Sequence, residues 1–94
     1  MKIRYSVCGL GYYKNNFTTD YIWEFGDFDT YEEAYNCFVQ LQCKDEASFF
    51  IESESNVYKM QLRLEKCEVI DNCIDWIDVK NEWWIINPDF KEEA

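Results

Sequence analysis

Histidine is absent from the 94 residues, proline occurs once, glycine three times, and lysine and arginine together number nine. Each shortage excludes something. Without His, the commonest general acid–base group is missing. The five cysteines, at 8, 37, 43, 67 and 73, contain no C-x-x-C pair, and the closer pairs Cys37/Cys43 and Cys67/Cys73 are separated by five residues. That spacing does not resemble a zinc site. A Cys nucleophile needs an adjacent base or an electropositive setting, and this chain offers neither. No run approaches the roughly 20 apolar residues of a membrane span. The N-terminal stretch MKIRYSVCGLGYY lacks the apolar core of a signal peptide. A cytoplasmic protein with reduced thiols packed as small hydrophobes is the expectation.

Cofactor motifs fail in the same way. Asp27-Phe28-Asp29 starts like a calcium loop, but Tyr31 and Glu32 stand where the next ligand and glycine belong. Gly9 and Gly11 lack the following helix that a phosphate-binding loop requires. Paired carboxylates are plentiful, but they fall in charged stretches rather than in the buried cleft that raises one carboxyl pKa. The expectation is a chain with no catalytic residue, no metal and no cofactor.

What is present is aromatic and acidic. Aromatic residues make up 19% of the chain, and each buried ring removes roughly 150–250 Å² from water. With 48% hydrophobic residues, one folded domain over residues 1–90 is expected, followed by a frayed acidic tail at 91–94. The net charge of −10 disfavours direct binding to nucleic acid or to an anionic membrane.

The pattern along the chain reads as α+β. Ile3, Tyr5 and Val7 alternate with Lys2, Arg4 and Ser6 in a strand over 2–8 that Gly9 and Gly11 end. Lys14–Asn16 is a turn, and residues 20–26, with Tyr21, Trp23 and Phe25 on one side, pair antiparallel with the first strand. Thr30-Tyr31-Glu32-Glu33 matches a capping box, in which Thr30 accepts from the Glu33 amide and Glu33 reaches back to the Thr30 amide. Tyr31, Ala34, Tyr35, Phe38 and Leu41 then share one face of a helix over 31–42. Residues 48–52 read as a short strand and 52–56 as a turn. Tyr58, Met60, Leu62 and Leu64 alternate with polar residues in a long strand. Its apolar phase changes near Glu65–Lys66, which predicts a bulge or strand end there. Asp71–Asn72 is a turn. Ile74–Val79 and Glu82–Ile86 read either as a final hairpin or as a helical turn followed by a strand. The expected architecture is one helix packed on a mostly antiparallel sheet of four to six strands, in the order β-β-α-β-β-β.

The charge is uneven. Residues 15–56 hold Asp20, Glu24, Asp27, Asp29, Glu32, Glu33, Asp45, Glu46, Glu52 and Glu54 against Lys44 alone. Two residues along a strand advance about 6.8 Å on one face, comparable to phosphate spacing along nucleic acid. Asp27/Asp29 and Glu52/Glu54 have that i, i+2 spacing. With Glu32 and Glu33 they form a candidate row of carboxylates for an Arg- or Lys-rich partner surface. Capping and solubility explain part of the same acidity. Trp83 and Trp84 are adjacent, so on a strand they face opposite ways. They are the candidate aromatic anchors of an interface, either with another protein or with a second copy of this chain.

The segment FGDFDTYEEAYNCFVQLQ resembles small acidic proteins encoded by bacteriophages and mobile elements, as does the Asn-, Lys-, Ile- and Tyr-rich character of the chain. Within that group, anti-CRISPR-type inhibitors are similar in size, acidity and lack of catalytic motifs. The resemblance implies a protein that masks the basic nucleic-acid-binding surface of a nuclease effector. Its partner-binding candidates are Glu24, Asp27, Asp29, Glu32, Glu33, Asp45, Glu46, Glu52, Glu54, Trp83 and Trp84. Two other classes fit the same sequence: a module that stacks a small molecule on Trp and Tyr, and a structural homo-oligomer.

Overall fold

The computed structural model describes residues 2–51, 56–70 and 73–90. Strands β1 (Lys2–Tyr12) and β2 (Thr18–Phe28) lead into helix α1 (Tyr31–Gln42) and a 3-10 turn (Glu46–Phe49). Strands β3 (Lys59–Ile70) and β4 (Cys73–Ile86) follow. The four strands form one antiparallel sheet in the order β2-β1-β3-β4, so α1 carries the chain from one edge strand across β1 to β3. This is the expected α+β architecture, with four strands.

β1 does not stop at Gly9. It runs to Tyr12, and both glycines serve close packing rather than a turn. A Cβ on Gly9 would run into the Met60 thioether, and one on Gly11 would fall 2.6 Å from Thr19 Oγ1. Glycine inside a strand marks such close approaches. The turn expected at Lys14–Asn16 is present, with Asn16 at φ 71°, and β2 pairs antiparallel with β1.

The helix has the expected bounds, and Thr30 Oγ1 accepts from the Glu33 amide at 3.2 Å. The return contact differs from the expected one. The Thr30 hydroxyl donates to Glu33 Oε1 at 2.9 Å, so the carboxylate meets the hydroxyl and not the Thr30 amide. The buried stripe is Ala34, Phe38 and Leu41, while Tyr31 and Tyr35 stand exposed at its margin. Beneath the helix, Val7, Met60, Leu62 and Leu64 are fully buried. Each such side chain contributes about 1.5–3 kcal/mol.

Residues 46–49 form a 3-10 turn, not the strand read at 48–52. Asp45 starts it by accepting from the Ala47 amide at 3.3 Å. The turn lets the consecutive rings of Phe49 and Phe50 both enter the core, which a pleated strand, sending neighbours to opposite faces, does not allow. The turns expected at 52–56 and 71–72 and the tail at 91–94 lie outside the described residues, except for Asn56, which is in a turn.

The two late segments are one strand. β4 runs 14 residues against β3. The irregularity expected near Glu65 exists, but β4 carries it. The β1–β3 register is unbroken, whereas the β3–β4 register shifts between Leu62 and Leu64 and again between Leu64 and Glu65. Extra residues in β4 sit at Val79 and within Asn81–Glu82. β3 changes apolar phase because it outruns its cover. A 12-residue helix is about 18 Å long, and a 12-residue strand is about 40 Å. Past Leu64, the helix-side positions are Lys66 and Glu68, which pair with each other at 2.8 Å. The long axis of the molecule is 51 Å.

Candidate protein-binding surface

The helix covers one face of the sheet and no described element covers the other. That open face carries the acidic site. Along β2 its residues are Asp20, Ile22 and Glu24, all exposed. Strict alternation would then turn Asp27 toward the helix. It does not, because Val7 pairs with Gly26 while Cys8 pairs with Glu24, leaving Phe25 as an extra residue. Phe25 joins Trp23 on the helix side, where its ring meets Phe49 edge-on at 5.9 Å. Trp23 is pinned there by its indole N–H, which donates to the Phe49 carbonyl at 2.7 Å. The bulge thus returns Asp27 to the same face as Asp20 and Glu24.

Between β1, β2 and β3 the bulge opens a groove of about 700 Å³ lined by Ser6, Cys8, Ile22, Glu24, Asp27 and Glu65, with Phe25 and Gly26 at the bulge itself. Three carboxylates line it, and no basic side chain does. The Cys8 thiol donates to Glu65 Oε1 at 2.8 Å. Glu65 lay outside the sequence candidates. Its signal was present, since the inward set Met60, Leu62 and Leu64 puts residue 65 outward, but only the β1–β3 pairing brings it beside Glu24.

The other candidates scatter. Asp29 follows β2 and faces Arg4 at 3.7 Å, with both side chains well exposed. Glu32 and Glu33 occupy the first turn of α1, where Glu33 is engaged by Thr30. Asp45 is the cap of the 3-10 turn, and Glu46 is exposed beside it. Glu52 and Glu54 lie outside the described residues. The structure therefore brings together Glu24 and Asp27 with Asp20 along β2, adds Glu65, and leaves 32, 33, 45 and 46 on other elements.

Trp83 and Trp84 do face opposite ways, and both are exposed, at 43% and 41%. Trp84 lies on the open face, edge-on to Tyr12 at 5.1 Å, with Lys59 Nζ 4.5 Å over its ring. Lys59 also donates to Asn16 Oδ1, and Arg63 Nε donates to Gln61 Oε1, both at 2.8 Å. Trp83 lies on the helix side. There it lines a second groove, of about 490 Å³, between Phe38 and Gln42 of α1 and Val79–Trp83 of β4.

Among the described residues no group of His, Cys, Asp and Glu is arranged to hold a metal, and no helix is long and apolar enough to cross a membrane. Cys8, Cys37, Cys43 and Cys67 form no disulfide with one another. Burial pushes the Cys37 thiol up, opposed in part by Lys44. Comparison with protein-family models, with curated proteins and with solved structures finds no match to this chain.

Proposed function

We propose that this chain is a non-catalytic binding protein that places its acidic β2 edge and groove against a basic surface of a nucleic-acid-binding effector. The observation that carries this reading is the bulge at Phe25, which turns Glu24 and Asp27 to one face beside Glu65. A groove with three carboxylates and no lining cation suits a guanidinium or ammonium group, and Arg meets carboxylates in bidentate fashion. The exposed row Asp20, Glu24 and Asp27 extends the same charge along the edge strand, where it also blocks unwanted strand pairing. The resemblance to anti-CRISPR-type inhibitors makes an RNA-guided nuclease the effector to test. The Trp/Tyr stacking alternative has less support at Trp84, where Lys59 Nζ already lies over the ring.

The test titrates wild-type protein and the Glu24→Gln/Asp27→Asn/Glu65→Gln variant into a panel of purified RNA-guided nucleases, reading DNA cleavage at 50 and 300 mM salt. The expected result is inhibition at low salt that weakens at high salt and is lost in the variant. Inhibition that survives the three substitutions unchanged, or no inhibition of any nuclease in the panel, would sink the reading.

A further inference from the structure

The groove between α1 and β4 is a different kind of surface from the acidic one. It is lined by the apolar Phe38, Val79 and Trp83 and by the polar Gln42, Lys80, Asn81 and Glu82, with one cation and one anion among them. The helix margin beside it exposes Tyr31, Tyr35 and Val39, and β4 exposes Ile77 and Val79, each between 37% and 45% accessible like Trp83. Tyr31 stacks on Tyr35 at 5.8 Å, and Lys80 Nζ lies 5.7 Å from the Tyr35 ring, so helix and strand margins are continuous. At roughly 150–250 Å² per large side chain, these six leave on the order of 500 Å² of apolar surface in water. The polar rim brings this near the ~800 Å² per partner of a standard interface.

We infer that this groove is the interface of a homodimer in which a second copy of the chain packs by twofold symmetry, α1/β4 against α1/β4. Two arguments select a second copy. A molecule of net charge −10 can meet itself only where its local charge balances. The acidic groove, with three carboxylates, repels a copy of itself, whereas the α1/β4 rim has one charge of each sign. A twofold axis beside Asn81 also sets Lys80 of one protomer against Glu82 of its partner and the reverse, the self-complementarity that an isologous contact demands. The contact is made by side chains. The bulges at Val79 and Asn81–Glu82 disturb the edge of β4 and oppose strand-to-strand addition. The inference is independent of the acidic groove and stands if that reading fails.

Sedimentation velocity on the full chain from 1 to 100 μM tests it, with far-UV circular dichroism as the check on folding. The expected result is a dimer at the upper concentrations that becomes monomeric in Trp83→Asp. Lys80→Glu should weaken the dimer at least tenfold, and Lys80→Glu/Glu82→Lys should restore it to within about threefold of wild type. If Trp83→Asp unfolds, the charge pair decides alone. A monomer at 100 μM overturns the inference and leaves the groove to another protein. A dimer indifferent to these substitutions, or one that the double swap does not restore, overturns it equally.

Discussion

The two grooves of this molecule lie on opposite faces of one sheet and are built by opposite means. The open-face groove sets three carboxylates, Glu24, Asp27 and Glu65, among the apolar Val7, Ile22 and Phe25 of two strands, and a single extra residue, Phe25, shapes it. The groove on the helix side exists because α1 packs against β1, β2 and β3 and leaves β4 largely bare. Two of its lining residues, Val79 and Trp83, would be core if the helix were wider. One surface therefore concentrates unbalanced charge, and the other leaves apolar area unfinished. Charge gives fast, salt-sensitive association; apolar area gives contact energy that salt hardly screens. The two faces lie on opposite sides of the sheet, so each can be altered without touching the other.

The hardest blow to the helix side is Phe38→Ala. Phe38 is 4% exposed and forms both core and groove wall, so its loss should cost about 3–5 kcal/mol of stability. Urea denaturation measures it, and a loss below ~1 kcal/mol would contradict the packing described. On the open face, the Glu24→Gln/Asp27→Asn/Glu65→Gln variant should weaken an inhibited nuclease's complex by about a hundredfold, or ~2.7 kcal/mol at ~1.4 per tenfold. Calorimetric titration reads that change. The same variant should sediment like wild type, and a shifted oligomeric state would show that the two faces are coupled.

Gly9→Ala comes next in size. The added methyl runs into Met60 from the strand that separates the two faces. Overpacking of this kind costs about 1–3 kcal/mol. Thermal melting should show the loss with both grooves retained in the folded fraction. An unchanged melting temperature would mean that Met60 yields freely and that glycine is not required there.

The helix and the first three strands were legible because local chemistry decides them. Thr30 and Glu33 start α1, alternation sets β1 and β3, and Tyr21, Trp23 and Phe25 mark one side of β2. What the chain hid was set by its tertiary neighbours. Gly9 and Gly11 resemble terminators until Met60 and Thr19 are seen against them. Phe49 and Phe50 have strand composition, yet the core takes both rings and Asp45 caps a turn instead. Ile74–Ile86 looked divided because two bulges interrupt its alternation. At the candidate site, Glu24 and Asp27 were read correctly as surface acids, but Glu65 is 41 residues from Glu24 by number. Only the placement of β3 beside β1 joins them.

Thiol chemistry separates the faces more gently. Burial raises the Cys37 pKa, Lys44 offsets only part of this, and Cys43 is exposed. Iodoacetamide at pH 8 should therefore label Cys43 well before Cys37, in mass spectrometry of the native protein. A raised folded-state value means that the folded protein holds this proton more tightly than the unfolded chain. The associated stability is complete below the unfolded thiol value of about 8.5 and fades as pH rises through the folded one. Cys8 gives the contrast, since it lines the acidic groove. A docked nuclease should protect Cys8 and leave Cys43 reactive, and labelling of Cys8 at the free rate in the complex would place the partner elsewhere.

The smallest effect expected is that of Arg4→Ala. Its guanidinium sits 3.7 Å from Asp29 in an exposed pair, and such pairs contribute about 0–1 kcal/mol. Stability should scarcely move. Removing this cation from the end of β1 next to the acidic edge leaves the edge more negative, so association with a basic partner should quicken at 50 mM salt and return toward wild type at 300 mM, as screening predicts. Stopped-flow association rates decide the matter. An on-rate that falls, or a gain that persists at high salt, would mean that Arg4 itself touches the partner and that the acidic surface ends before Asp29.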